Sequence, residues 1–350
     1  MRIAQVAPLV EAVPPKLYGG TERIVSYLTE ELVRSGHEVT LFASGDSCTT
    51  AKLVPFGARA LRLDSAVLDP IPHLLVMLAE VRRRAAQFDV LHFHIDLLHF
   101  PIFHDLAAHT ITTLHGRADL PDLPPLYRYF PQFPLASISD DQRRPLHSAN
   151  WIGTVYHGLP SDLLEFTAAP RGGYLAFLGR MSPEKRPDRA VEIARRTGLP
   201  LRMAAKVDNA DREYFEHTVA PLLDDPLVEF IGEIGEAEKS AFLGNARALL
   251  FPIDWPEPFG LVIIEAMACG TPVIAYPCGS VPEVVEDGVT GFIVESIEDA
   301  VRAVERLDQL DRRTIRAVFE REFSATRMSR DYEALYAKVA RTTTPKLRVA

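Results

Sequence analysis

The chain predicts two doubly wound α/β domains, on three observations. Short apolar runs of strand length alternate with stretches of amphipathic, helical spacing, the pattern of a parallel sheet covered on both faces. The alternation breaks at a Gly- and Pro-rich stretch over 168–173 and then restarts from a fresh strand. A length of 350 residues at 47% hydrophobic content is enough for two cores.

In the first half, strands are predicted near 2–7, 38–43, 89–94, 110–114, 135–138 and 152–156. Between the first two, Ile24, Val25, Leu28, Leu32 and Val33 recur at helical spacing over 21–35, and Gly36 stops that helix. The stretch 74–87 carries Arg82, Arg83 and Arg84; a solvated helix face is the default reading, and contact with an anionic membrane is not predicted. After the break, strands are predicted near 174–178, 201–205, 228–231, 248–252, 272–275 and 291–294. A tail over 322–340 has an apolar stripe at Met328, Tyr332, Leu335 and Tyr336. The expected domains are 1–165 and 172–318. Ligands of such sheets bind beyond the carboxyl ends of the strands, so two facing sheets place the expected site in an interdomain cleft.

Composition narrows the function. A net charge of −9 argues against a nucleic-acid partner. Cys48, Cys269 and Cys278 show neither paired nor metal-type spacing, which implies a reducing compartment. No apolar run approaches the ~20 residues of a membrane span. A soluble, cytoplasmic protein is expected. No Gly-x-Gly-x-x-Gly follows the first strand, which disfavours a nicotinamide dehydrogenase.

The densest chemistry lies in the run from Glu257 to Gly270. Glu257 falls on a turn before Gly260, Glu265 falls inside the following helix, and Gly270 closes it. Two carboxylates so placed can accept hydrogen bonds from vicinal hydroxyls. The helix-start N–H groups between them suit a phosphate, and both together suit a sugar nucleotide. Spacing alone leaves an ordinary surface helix equally open. Arg180 and Lys185 follow a strand and enter a loop, where a bidentate guanidinium and an ammonium can hold a diphosphate; a solvated basic loop is the alternative, and Arg186 and Arg189 are read that way. Gly19-Gly20 before the first helix permits close phosphate approach or is a plain turn. His92, His94 and Asp96 form His-x-His-x-Asp, and period two puts them on one face of a strand end, a metallohydrolase spacing.

With these motifs in order, the chain resembles glycosyltransferase family 4, the retaining enzymes of GT-B fold that use nucleotide sugars. Tyr-Gly-Gly-Thr-Glu (18–22), Leu-Gly-Arg-Met-Ser-Pro-Glu-Lys (178–185), the Glu257/Glu265 pair, Gly-Thr-Pro-Val-Ile-Ala (270–275) and the segment 281–294 carry the resemblance across nearly the whole chain. It implies two Rossmann-like domains, with the C-terminal helix 322–340 crossing back onto the first. It also implies that Arg180 and Lys185 stabilise the departing nucleoside diphosphate, that Glu265 holds the ribose, and that Glu257 meets the donor sugar near the reacting carbon. The N–H groups of Phe259, Gly260 and Leu261, after Pro258, are expected to meet sugar hydroxyls or the β-phosphate. Gly19 and Gly20 belong to a loop closing over the diphosphate, and His115 lies beside the sugar. The nucleobase meets backbone around Gly232 and Ile234, which leaves uridine, guanosine and adenosine donors unseparated, and a UDP- or GDP-sugar is the expected donor. Lys206 is a further phosphate contact. His157 stands where many relatives have Asn, so hinge packing is its reading, and His94 is placed near the acceptor pocket. The His-rich strand is common in the family without metal, and position 97 is Leu where the hydrolase motif has His.

No Asp-x-Asp for a divalent ion occurs in the chain, so no metal or other cofactor is expected. The expected function is front-side, metal-independent transfer of a hexose with retention of configuration. The acceptor is a carbohydrate, lipid-linked or small molecule, met by Pro- and aromatic-rich loops over 8–20, 44–50 and 116–134. The alternatives are a non-catalytic sugar-nucleotide-binding protein and a metallohydrolase using His92, His94 and Asp96.

Overall fold

A computed structural model of the protein describes residues 1–16 and 19–343. Leu17 and Tyr18, the second of which opens the first family fragment and lies in an expected acceptor loop, fall outside the described residues. The chain divides into two compact units, one of residues 1–158 with the chain from Ala325 onward, the other of residues 159–324.

In the first unit, β1 (Arg2–Val6), β2 (Glu38–Ser44), β3 (Lys52–Phe56), β4 (Val90–Phe93), β5 (Thr110–Thr113), β6 (Leu135–Ser137) and β7 (Trp151–Thr154) form one sheet in the order β3-β2-β1-β4-β5-β6-β7. Helices α1 (Gly20–Arg34), α2 (Ile71–Arg84) and α3 (Leu123–Tyr129) belong to it. The second unit holds β8 (Leu175–Arg180), β9 (Leu201–Lys206), β10 (Val228–Gly232), β11 (Ala248–Phe251), β12 (Val273–Ala275) and β13 (Gly291–Ile293), in the order β10-β9-β8-β11-β12-β13. Its helices are α4 (Pro187–Thr197), α5 (Arg212–Tyr214), α6 (Glu236–Gly244), α7 (Leu261–Ala268), α8 (Val281–Val284), α9 (Ile297–Glu305) and α10 (Arg312–Glu322). The last helix, α11 (Ala325–Thr343), belongs to the first unit, where Tyr332 and Tyr336 are fully buried. All strand pairings are parallel.

Each strand expected from sequence is present, because buried parallel strands read as continuous apolar runs. β3 is the exception that sequence did not reveal. It lies at the sheet edge, carries Lys52 and Pro55, and is only half buried, so it leaves no apolar run. The loop after β8 makes a short turn of its own before the next helix. Residues Pro183–Lys185 make one 3₁₀ turn, Arg186 takes a left-handed conformation (φ 50°), and α4 starts at Pro187.

In each sheet the strand order reverses beside the first strand. β1 sits between β2 and β4, and β8 sits between β9 and β11. Such a reversal opens a crevice at the carboxyl ends of the strands. Those ends are Val6, Phe93 and Thr113 in the first unit, and Arg180 and Phe251 in the second.

Arg312 organises the second unit's far side. Its guanidinium donates to the carbonyls of Thr167 (2.7 Å), Ala246 (3.1 Å) and Gly244 (2.8 Å), and to Thr271 Oγ1 (2.6 Å). Burial lowers its pKa to about 10. The segment 168–173 runs exposed but is tied to this unit, with Gly172 N donating to Asn245 O at 3.1 Å. Replacing Arg312 with Met leaves these acceptors without a donor. It is expected to destabilise the protein by on the order of 3 kcal/mol, read as a lowered urea midpoint.

Candidate active site

The second unit gathers its charged residues at the switch point. Arg180 ends β8, and its guanidinium donates to Glu184 Oε1 at 2.5 Å. Asp208 and Asp211 lie 3.7 and 3.6 Å from the same group. Desolvation raises the Asp211 pKa. Three carboxylates thus surround the cation expected to meet a diphosphate, and each is reached by a loop following β8 or β9.

Lys185 closes the 3₁₀ turn and pairs with Glu257 Oε2. Trp255 Nε1 donates to the same oxygen at 2.9 Å, and the Lys185 ammonium lies 5.0 Å from the Trp255 ring centroid. Two residues singled out separately in the sequence are therefore one ion pair. Glu265, one turn into α7, is 4% exposed and accepts from Lys239 Nζ of α6 at 2.6 Å. Gly260 caps α7 with φ 79°, which only glycine adopts without strain, and Pro258 and Phe259 are buried before it. Leu261 is the first helical residue.

The Glu257 turn is held by a second loop. Ser280 N donates to Glu257 O at 2.9 Å, and Gly279 has φ 62°. A Cβ on Gly279 would stand 2.3 Å from both the N and the O of Glu257. Nothing in the sequence marks Gly279, because the residue it abuts is remote in the chain. Gly279→Ala is expected to cost roughly 1–3 kcal/mol in backbone strain alone, measured as a lowered thermal midpoint.

The remaining expected contacts fall around these. Gly232 ends β10 with φ 78°, and Ile234 follows before α6. Lys206 ends β9 and pairs with Asp208 at 2.8 Å. Arg186 and Arg189, read from sequence as a solvated loop, instead share Asp254 at 2.8 and 3.1 Å, and Arg189 lies over the Tyr276 ring. They hold the loop after β11 to the start of α4.

In the first unit, Gly19 caps α1 and Gly20 begins it. A Cβ on Gly19 would meet Pro15 at 2.8 Å. A buried polar network crosses the strand ends. His92 meets Tyr336 Oη (2.8 Å) and Thr113 Oγ1 (2.8 Å). His94 meets Gln5 Oε1 (2.7 Å) and His115 Nε2 (2.8 Å). His115 stacks on His157 with centroids 5.3 Å apart. Burial depresses all four imidazoles, His115 to about 3, so they are neutral at physiological pH.

This corrects the His-x-His-x-Asp reading. The histidines share a face, but Asp96 lies past the end of β4, exposed, with φ 54°. Both ring nitrogens of His92 and of His94 are engaged by other groups. Among the described residues, no group of three His, Cys, Asp or Glu side chains is disposed to hold a metal ion. His94, placed by sequence near an acceptor pocket, is 2% exposed and structural to the network. No helix among the described residues is long and apolar enough to cross a membrane.

Two all-parallel Rossmann-like units, the second with cations and carboxylates at its switch point, have the GT-B fold. The family model described as Glycosyltransferase Family 4 matches residues 18–155, and that described as Glycosyl transferases group 1 matches residues 166–317. The chain belongs to glycosyltransferase family 4. The D-inositol 3-phosphate glycosyltransferase of Mycolicibacterium gilvum (strain PYR-GCK) is 27% identical in an alignment of 353 residues, covering 80% of this chain and 74% of that enzyme. The enzyme of the same name from Mycobacterium sp. (strain KMS) is 30% identical over 272 residues, 63% of this chain and 58% of its own length. This chain therefore spans less than two thirds of that second relative. Among solved structures, Anabaena HepE in complex with UDP and glucose matches with a TM-score of 0.72 at 17% identity, covering 96% of this chain and 99% of that one.

Proposed function

We propose that the protein moves a hexose from a UDP- or GDP-sugar to a hydroxyl of a carbohydrate, lipid-linked or small-molecule acceptor, with retention and without a metal cofactor. The observation that carries this reading is the second unit's switch point, where Arg180, the Lys185–Glu257 pair and the Gly260 cap of α7 converge on the ends of β8 and β11. HepE, of the same fold, was solved with UDP and glucose, and the curated relatives are named for a phosphorylated polyol acceptor; both agree with a nucleotide-sugar donor and a hydroxylated acceptor. Cys48, Cys269 and Cys278 form no disulfide among the described residues, which agrees with a cytoplasmic setting.

In the proposed step, the bond between the anomeric carbon and the diphosphate oxygen breaks, and its electron pair stays on that oxygen. The acceptor oxygen bonds to the anomeric carbon on the same face. Its proton passes to the departing phosphate oxygen. Arg180 and Lys185 offset the charge that gathers there, and the first N–H groups of α7 add to them. Glu257, already accepting from Lys185 and Trp255, orients the sugar ring and is not a dedicated base.

A thermal-shift panel of UDP, GDP, ADP and their sugar conjugates, with and without EDTA, tests the donor. A ligand at 100 times its Kd adds about 2.7 kcal/mol. Stabilisation by UDP or GDP compounds, indifferent to EDTA, is the expected result. No response to any nucleotide would overturn the reading. The anomeric configuration of the product, read by NMR, tests retention.

A further inference from the structure

Helix α2 (Ile71–Arg84) has two apolar faces, and the first unit covers only one of them. Met77, Leu78 and Val81 are fully buried, in one cluster with Phe42, Val54 and Phe93. The opposite face stays in solvent, with Leu75 45% and Val76 63% exposed. Pro72 and Ala79 are exposed beside them, and Leu68, just before the helix, is 97% exposed. Positions 72, 75, 76, 79 and 83 are spaced by threes and fours, so they form a single stripe. Of the nine exposed large apolar side chains among the described residues, five lie between Leu63 and Val76, which makes this a patch and not scatter.

Charge decides what covers it. Asp69 bounds the stripe at one end and Arg83 at the other, with no charged residue on the face between them. Asp69 accepts from Ile71 N at 2.9 Å and so holds the helix start. The arginines at the far end are not a free cationic cluster. Arg82 pairs with Asp105 at 2.6 Å, while Arg83 (2.6 Å) and Arg84 share Glu80. With Asp69 added, three acids balance three bases across the patch, so it lacks the basic excess that an anionic membrane takes. The same pattern is self-complementary. Asp69 and Arg83 stand seven positions either side of Val76, each about 10 Å along the axis. A second α2 laid antiparallel, with the two-fold beside Val76, sets each Asp69 against Arg83 of the second copy and stripe against stripe. Such an isologous contact closes on itself, and it opposes the two helix dipoles. The Arg83 side chain is 68% exposed, and its five N–H groups suffice for Glu80 and an incoming carboxylate together.

We propose that the exposed face of α2 is the seam of a symmetric dimer, in which two copies of this chain pair antiparallel through Leu75, Val76 and Ala79 between Asp69–Arg83 ion pairs. The seam is independent of the sugar-nucleotide reading, and either stands if the other fails.

Sedimentation velocity on the full chain over a concentration series tests it. A dimer dissociating in the micromolar range is expected, as suits a small interface. Val76→Asp, which sets two carboxylates together at the two-fold, is expected to weaken the dimer roughly hundredfold. Asp69→Arg and Arg83→Glu each place like charges face to face and are expected to weaken it roughly tenfold. Mixed with each other, those two variants are expected to regain wild-type association as a heterodimer, because every facing pair is then opposite in sign. That rescue separates a seam from general destabilisation. Thermal midpoints show whether each variant folds; if Arg83→Glu, beside Glu80, does not, cross-linking decides. In a Cys48→Ser background, Val76→Cys is expected to form an interchain disulfide on air oxidation, and Leu120→Cys, exposed elsewhere on the first unit, is not. A wild-type monomer at every concentration would overturn the proposal, as would a dimer indifferent to Val76→Asp or a cross-link no stronger than that of Leu120→Cys. A monomer that co-sediments with phosphatidylserine vesicles, and ceases to in Val76→Asp, would overturn it too and give the face to a lipid surface.

Discussion

Arg180→Ala is expected to lower kcat/KM by roughly 10²–10³, the usual loss when a preorganised donor to developing charge is removed, about 3–4 kcal/mol. The surroundings push the effect toward the upper end. Glu184, Asp208 and Asp211 all lie within ion-pair distance of the guanidinium. Without it, their charge faces the region assigned to the diphosphate and repels it. Binding of UDP or GDP is therefore expected to weaken together with turnover. Arg180→Lys keeps the charge but loses the fork, and is expected to fall between the two. Calorimetry with the nucleotide alone decides the role, since it needs no acceptor. Unchanged nucleotide affinity in Arg180→Ala would remove Arg180 from the diphosphate site and leave it as the hub of a surface ion-pair cluster.

The limits of the sequence are visible at this same cluster. Strands β8, β9 and β11 announce themselves as apolar runs because both of their faces are covered. The Glu257-to-Gly270 run is legible because a turn, a cap and a helix follow one another locally. What the chain does not disclose is who meets whom. Lys185 and Glu257 are 72 positions apart, and Lys239 and Glu265 are 26 apart. Both pairs arise only once the sheet order β10-β9-β8-β11 is formed. Gly279 is silent for the same reason, being required by a backbone that reaches it through the fold. Period two put His92 and His94 on one face; β4 ends at Phe93, so His94 keeps the pattern one residue beyond the strand, and Asp96, at φ 54°, does not. Gln5 is the extreme case. A polar residue inside a first strand reads as an interruption, until a helix 331 positions later brings Tyr336 to it.

Acidification from pH 7.5 to 5.5 is expected to destabilise the first unit steeply. Five of its histidines, His92, His94, His99, His115 and His157, are depressed by burial and stay neutral in the folded chain. Unfolded, each binds a proton below about pH 6.5. The unfolded state thus holds more protons throughout the window below 6.5, and stability rises with pH there and is lost as pH falls. Each histidine contributes about 1.4 kcal/mol per pH unit, and together they approach about 7 kcal/mol per unit, comparable with the ~5–15 kcal/mol that holds a typical domain together. The carboxylates give a different window. Asp89 beside Arg2 and Asp225 beside Arg195 are lowered by those partners, so their contribution is lost only as pH drops through the carboxylate range near 4 and below. Urea midpoints taken between pH 7.5 and 5.5 therefore read mainly the imidazoles; Asp96, raised to about 6 by desolvation, titrates in the same window with the opposite sign. Hydrogen exchange at pH 5.5 is expected to show β1, β4 and β5 opening first, since β1 and β4 carry Gln5 and His92, and β4 and β5 lead to His94 and His115. His99, stacked on Phe93 at 3.9 Å with Nε2 on Thr112, offers the clean subtraction. His99→Phe is expected to reduce the pH slope by about 1.4 kcal/mol per unit, whatever it does to stability at pH 7.5. A slope that does not change would mean that His99 titrates in the folded chain as it does in the unfolded one, and that burial does not hold it neutral.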